Sequence, residues 1–158
     1  MQSLVDAVCN DPTYGNLVNL RKAVSEIGAD GASAARVVPT LKMIMVEDTP
    51  APCLDQAVWI LANIVASHAA RDVVSGDLVA AILRCASSEP AKAVMATNVV
   101  WFIANCLGDK NCRSEVLRHP GVLTFLRDSL AIADGDTVVW CINNVIRAAS
   151  REDDLVVA

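Results

Sequence analysis

A tryptophan followed four residues later by an asparagine occurs three times in the chain at nearly equal intervals. The pairs are Trp59/Asn63, Trp101/Asn105 and Trp140/Asn144, so that successive tryptophans are 42 and 39 residues apart. A period near 40 residues is typical of solenoids in which each repeat contributes two or three α-helices. The repetition therefore predicts an all-α chain of stacked helical repeats.

Proline and glycine divide the chain into units with the same order of helices. In the middle unit we predict a short helix over residues 69–76 that stops at Gly76, a second helix over 77–88 and a long third helix over 89–108. Proline suits the first helical turn and glycine the end of a helix, which is how Pro90 and Gly108 delimit this third helix. The other predicted helices cover residues 15–28, 35–46, 50–67, 112–121, 122–131 and 135–150, the last with Asp136 or Thr137 as its N-cap.

These units predict a single domain over residues 1–158. It divides into a partial repeat over 1–30, repeats over about 31–67, 68–108 and 109–150, and a short polar tail over 151–158. Hydrophobic residues make up 54% of the chain but aromatic residues only 4%, so the core must consist mainly of Val, Leu, Ile and Ala.

Each Trp-containing third helix has an aliphatic side and, opposite to it, the Trp–Asn pair. The two residues of a pair are neighbours because residues four apart share a helix face. The aliphatic residues predicted to face the core are Leu54, Ala57, Val58, Leu61, Ile64 and Val65, then Val99, Val100, Ile103, Cys106 and Leu107, then Val138, Val139, Ile142, Val145 and Ile146. The polar residues that accompany the tryptophans are Gln56 with Trp59, Asn98 with Trp101, and Thr137 with Trp140.

Third helices stacked side by side, about 8–10 Å apart, would arrange the three pairs as a ladder. An Asn amide can bind both the C=O and the N–H of an extended peptide backbone without reading its sequence. Two neighbouring indole rings form a slot for the aliphatic stem of a Lys or Arg, and their faces attract its charge. The ladder predicts a site for an extended basic segment, with ordinary core filling by each Trp as the alternative.

Charge and the lack of targeting patterns narrow the choice of partners. The formal net charge of −5 disfavours nucleic acid, which is bound through clustered Lys and Arg, and favours a basic partner. The acidic residues fall mostly in predicted turns, where they serve solubility or attract a basic peptide. We see no signal-peptide pattern and only short apolar runs, so we expect no membrane partner.

Cysteine and histidine give no indication of chemistry. The six cysteines form no CxxC pair and predict reduced core residues, as in a protein of the cytosol or nucleus. His68 and His119 stand outside any metal-ligand spacing, and neither a GxSxG motif nor a phosphate-binding glycine loop is present. We therefore expect no enzyme, no metal and no cofactor.

The segments QAVWILANI (56–64) and NVVWFIANCLGDKNCRSEVLRHPGVL (98–123) resemble armadillo repeats, and more narrowly the importin alpha (karyopherin alpha) family. The likeness extends over about residues 37–150. It implies an armadillo-type right-handed superhelical solenoid of about three to four repeats. It also implies a non-enzymatic adaptor of cytoplasm and nucleus that binds nuclear-localisation-signal segments of cargo proteins and works with other transport factors.

The same resemblance implies roles for individual residues. The family clamps the cargo backbone with Asn and sandwiches cargo Lys or Arg stems between Trp rings. This assigns peptide binding to Trp59, Asn63, Trp101, Asn105, Trp140 and Asn144. Asn98, which shares the helix face of Trp101, is a further predicted peptide-binding residue. Asp109 matches the aspartate that pairs with a cargo lysine, and Arg147 matches a basic residue of the family's fourth repeat. The chain departs from the family after Asn63, where the short loop has no counterpart of the threonine that assists that aspartate.

Two other classes of function remain open at this stage. A structural armadillo scaffold would use the same face to meet a helix or a partner domain, with the tryptophans as interface core. Arg21 stands 42 residues before Asn63, in the place of an asparagine, so the ladder ends there. An enzyme or its regulatory subunit would need a cofactor or an active-site cluster that the sequence does not offer.

Overall fold

The computed structural model describes residues 1–46, 48–67, 74–109 and 111–150, and this part of the chain contains nine α-helices and no β-strand. The predicted all-α class is therefore confirmed. The helices are α1 (Gln2–Asn10), α2 (Tyr14–Ile27), α3 (Gly31–Met43), α4 (Ala51–Ala66), α5 (Gly76–Ala86), α6 (Glu89–Gly108), α7 (Arg113–Leu117), α8 (Gly121–Ser129) and α9 (Gly135–Ala149).

The long helices α2, α4, α6 and α9 are the predicted third helices. Their observed bounds differ from the predicted ones by at most one residue, and α6 begins and ends where Pro90 and Gly108 place it. Gly28, at φ 72°, lies in the left-handed region that favours glycine and ends α2. The second and short helices are also found, as α3, α5, α7 and α8, and α1 adds a helix that the sequence did not predict.

Several predicted helix ends are wrong. The helix α3 begins four residues earlier than predicted and α7 ends four residues earlier, and two further boundaries were assigned to the wrong residue. Gly76 does not stop a helix but is the first residue of α5, because the Ser75 hydroxyl accepts the backbone N–H of Leu78 and caps that helix. The short helix predicted before it lies mostly in residues 68–73, outside the described part. The cap of α9 is Asp134 rather than Asp136 or Thr137: its carboxylate accepts the backbone N–H of Thr137 at 3.0 Å.

The four long helices pack in a row in the order α2, α4, α6, α9, and the shorter helices pack beside them. The aliphatic sides predicted for α4 and α6 are buried throughout, which confirms all eleven of these core positions. Both helices are covered on a second side as well: Ile60 on α4 and Phe102 on α6 are also fully buried.

The predicted core side of α9 is wrong in part. Val138 is buried, but Val139, Ile142 and Ile146 are 59%, 45% and 59% exposed. That side of α9 therefore meets solvent at these three residues, although Val145 packs against the core. Together with α8 it borders a groove of about 190 Å³ whose other walls include Leu123, Leu126 and Leu130.

The segment 91–108 of α6 is long and apolar enough to cross a membrane by length and composition. The sequence prediction that every apolar run is shorter than a membrane span did not anticipate this. In the structure 56% of the segment is buried between the neighbouring helices. A helix at the centre of a row needs apolar residues on several sides, so this hydropathy follows from its position.

Candidate functional site

The three Trp–Asn pairs lie on α4, α6 and α9, which are consecutive helices of the row. The rings of Trp59 and Trp101 are half-buried, and Trp140 is 39% exposed. None of the three indoles is sealed beneath another helix. The pairs therefore follow one another along the row with part of each ring accessible.

The first two rings are in direct contact. Their centroids are 6.0 Å apart with an angle of 81° between the planes, an edge-to-face arrangement. A methylene chain held between two rings needs about 3.5–4 Å on each side, which is more than this spacing allows. Trp59 and Trp101 therefore leave no slot between them for a Lys or Arg stem.

An open pocket of about 300 Å³ lies instead between Trp101 and Trp140. Its remaining walls are polar and come from the same two helices: Thr97, Asn98, Asp136 and Thr137. The carboxylate of Asp136 is exposed at its rim. Two aromatic walls with a carboxylate beside them suit an organic cation, because ring faces and the negative charge both attract it.

A positively charged side chain of the protein itself lies over the ring of Trp59. The guanidinium carbon of Arg21, on α2, lies 4.3 Å from the centroid of the Trp59 ring. The positive charge of Arg21 also acts on Asp55, one turn before Trp59 on α4. Burial raises the pKa of the Asp55 carboxyl above its ordinary value, against the lowering effect of the Asn98 hydrogen bond, Arg21 and Gln56.

The asparagines of the second and third pairs link neighbouring helices. Asn105 donates from Nδ2 to the carbonyl oxygen of Ala62 on α4 at 2.9 Å. Asn144 donates in the same way to the carbonyl oxygen of Ala104 on α6 at 2.8 Å and is only 8% exposed. These bonds tie α4 to α6 and α6 to α9, a use that the sequence analysis did not foresee.

The other two predicted asparagines bind close to Trp59. Asn63 donates to the carbonyl oxygen of Trp59 in its own helix at 2.9 Å. Asn98 donates from Nδ2 to Oδ1 of Asp55 at 2.6 Å, across from α6 to α4. Each of these bonds engages one amide N–H, while an Asn side chain carries two N–H groups and an acceptor oxygen.

Asp109 has a local role at the end of α6. Its Oδ1 accepts the backbone N–H of Asn111 at 2.7 Å and that of Cys112 at 3.3 Å. This is the capping pattern expected of an aspartate at the start of a turn. The predicted pairing of Asp109 with a ligand lysine stays a prediction.

Asp55, Thr97 and Asp136 were missed as site residues, although a sequence signal for them exists. Each stands four residues before a tryptophan of the ladder, so each lies one turn away on the same helix face. The predicted site residues follow each Trp or stand three positions before it, which leaves out the position four before it. On α4 and on α9 the residue four before the Trp is an aspartate, and we call each of these pairs, Asp55–Trp59 and Asp136–Trp140, an Asp–Trp couple.

No family model, curated protein or solved structure matches the chain.

The described residues contain no group of three or more His, Cys, Asp or Glu side chains that could hold a metal ion. His68 lies outside the described part, and Nδ1 of His119 accepts the backbone N–H of Gly121 at 3.2 Å. The six cysteines are thiols, as predicted, and none is in a disulfide. Burial raises the pKa of Cys112 to about 12 and that of Cys141 to about 11, so both stay protonated near neutral pH.

Proposed function

We propose that this protein binds an extended peptide segment with a basic side chain placed between Trp101 and Trp140. The observation that carries the proposal is the open pocket of about 300 Å³ between these two rings, with Asp136 at its rim. A Lys or Arg stem would lie along the indole faces while its charge meets the carboxylate. The mechanism is binding alone, with no chemical step.

An internal comparison supports this assignment. The Asp55–Trp59 couple on α4 already has the guanidinium of Arg21 over its ring, 4.3 Å from the centroid. Asp136 and Trp140 repeat the same spacing on α9, and their pocket is open. The same residue types at the same helical spacing suit the same class of group, a side-chain cation.

The asparagines contribute to the proposed site in a second way. Asn63 and Asn105 are half-exposed, and each engages one N–H in the bonds described above. Their remaining amide capacity suits the backbone of an extended segment. Asn144 is nearly fully buried, so its part in the site is to position α9 against α6.

The wider proposal is an armadillo-type right-handed superhelical solenoid that acts as an importin-alpha-like adaptor in cytoplasm and nucleus. What supports it is the row of long helices, the Trp–Asn pairs along it and the net charge of −5, which suits a basic segment of the nuclear-localisation-signal type. Other transport factors are proposed partners on the same basis.

The experiment is fluorescence anisotropy with a short fluorescein-labelled Gly/Ser peptide that carries one central Arg. We expect Trp140→Ala to weaken binding by about 3- to 30-fold, the range of a cation–π contact. Asp136→Asn should weaken it by about 2- to 5-fold, as expected for an exposed ion pair. The matched controls are Val139→Ala on the same helix and Asp48→Asn in a loop, and both should bind as the unmodified protein does.

A second peptide with Gln in place of the Arg separates the two classes of function. Loss of binding with Gln supports the basic-segment proposal. Equal binding of both peptides, or no effect of either pocket variant, would instead favour the scaffold function. The exposed aliphatic side chains of α8 and α9, such as Leu123 and Ile146, favour that second candidate, because such a surface fits the apolar face of a helical partner.

A further inference from the structure

Arg21 occupies a place at which the ladder would otherwise accept a ligand. It belongs to α2, the helix before the first Trp–Asn pair in the row, and reaches across to α4. Its guanidinium carbon lies 4.3 Å from the Trp59 centroid, within the roughly 6 Å range of a cation–π contact.

The surroundings of Arg21 match those of the open pocket. Asp55 stands four residues before Trp59 as Asp136 stands four residues before Trp140. Asp55 is held by Asn98, whose Nδ2 lies 2.6 Å from its Oδ1, and the charge of Arg21 acts on it. The ring and the carboxylate of the first Asp–Trp couple are therefore both engaged by side chains of the protein itself.

The edge-to-face contact of Trp59 with Trp101 also closes the gap between the first two pairs. Of the two gaps between consecutive tryptophans, one is filled by the rings themselves and the other is a pocket. A ligand with several adjacent basic residues finds one aromatic cation position, not two.

We propose that Arg21 is an internal ligand of the Trp59 subsite, so that the groove offers a bound segment one aromatic cation position, the Trp101–Trp140 pocket, and a second basic residue adds no affinity there. The lack of a gain from a second basic residue rests on the proposed function. The occupation of Trp59 by Arg21 does not, and it can be tested without any peptide.

The first experiment follows the indole Nε1–H signals of the three tryptophans by NMR during titration with ethylguanidinium chloride. The signals are assigned with single Trp→Phe variants. In the unmodified protein and in Lys22→Ala, which removes a neighbouring exposed charge, we expect the Trp59 signal not to move. In Arg21→Ala it should move and saturate, and Arg21→Lys should restore the unmodified behaviour.

Two results would overturn the internal ligand. One is a Trp59 signal that moves equally in the unmodified protein and in Arg21→Ala, because the ring is then open already. The other is a Trp59 signal that moves in neither, because the ring is then not a cation subsite. Arg21→Gln serves as the second variant if Arg21→Ala does not keep the helical circular dichroism of the unmodified protein.

The second experiment compares the one-Arg peptide with peptides that carry a second Arg two or three residues to either side. We expect the unmodified protein and Lys22→Ala to bind all of them within about twofold. Arg21→Ala should bind the better two-Arg peptide about 3- to 30-fold more tightly than the one-Arg peptide. A similar preference for two Arg residues in the unmodified protein would refute the single aromatic cation position. Failure of every peptide to bind would reject the proposed function, and the NMR titration would still decide the role of Arg21.

Discussion

A single residue type, asparagine, shows how one sequence pattern supports two physical roles. An Asn four residues after a Trp can present its amide to a ligand or turn it toward the preceding helix, and the spacing is the same in both cases. In the structure Asn105 and Asn144 donate to carbonyl oxygens of Ala62 and Ala104 on the neighbouring helix. The sequence could predict that these amides face away from the aliphatic side, but not which partner they bind, because that depends on how closely the helices approach.

The bond of Asn144 should contribute measurably to stability. Asn144→Ala would leave the Ala104 carbonyl without this donor in a site that is only 8% exposed at Asn144. We expect the free energy of unfolding to fall by about 1 kcal/mol, the usual net contribution of one intramolecular hydrogen bond. Urea unfolding followed by circular dichroism measures it.

The neighbouring Asn143 provides the matched control. Its side chain is exposed, so Asn143→Ala should change the free energy of unfolding by no more than about 0.5 kcal/mol. Equal losses in the two variants would mean that the inter-helix bond adds nothing. Because Asn144→Ala changes stability, Asn63→Ala is the better variant for testing backbone clamping: its bond stays within α4.

At the scale of the helix, local sequence signals predicted well where the long helices lie and less well which residues cap or end the helices. Pro90 and Gly108 delimit α6 because both act through the backbone, which needs no knowledge of the fold. The prediction that a helix ends at Gly76 was wrong, because glycine also occurs at the start of a helix when a serine precedes it as the N-cap. At α9 the predicted caps were two polar residues inside the first turn, whereas the hydrogen bonds identify Asp134, one residue before the helix, as the cap.

The cap of α9 leads to a prediction about pH. Hydrogen bonds from the backbone N–H and the hydroxyl of Thr137 lower the pKa of Asp134 below its ordinary value of 3.8. A carboxyl with a lowered pKa in the folded state contributes stability above the pKa of the unfolded chain, and this contribution is lost as the pH falls through the folded-state pKa. Asp134→Ala should therefore reduce the free energy of unfolding near pH 6, and the difference from the unmodified protein should shrink below about pH 4.

Urea unfolding at several pH values measures this difference. Asp48→Ala, an exposed loop aspartate, is the control and should leave the curve unchanged at every pH. A difference for Asp134→Ala that is the same near pH 6 and near pH 3 would contradict a role for the ionised cap.

At the scale of the whole molecule, the aliphatic pattern of a helix says which side can be buried but not whether a neighbour is there to bury it. The patterns of α4 and α6 were predicted correctly because both helices lie inside the row. The same pattern on α9 was predicted to be core and is partly exposed, since α9 ends the row of long helices in the described part of the chain and has such a neighbour on one side only. The distance between consecutive tryptophan rings was likewise beyond the sequence: one pair of rings touches and the other encloses a pocket, although the spacings of 42 and 39 residues differ little.

The distribution of charge over the molecule leads to the last prediction, which concerns rates. The chain carries a net charge of −5, and Asp136 lies at the rim of the pocket, so a basic peptide is attracted before it makes contact. Salt screens such attraction over about 10 Å at 0.1 M. We expect the association rate of the one-Arg peptide to fall by roughly tenfold between about 20 and 500 mM NaCl in stopped-flow fluorescence, with a smaller change in the dissociation rate. Asp136→Asn should lower the association rate and weaken its dependence on salt, because it removes an exposed charge at the rim of the pocket, whereas Asp48→Asn should alter neither rate appreciably. An association rate that does not depend on salt would show that the acidic surface serves solubility and does not guide a basic ligand to the groove.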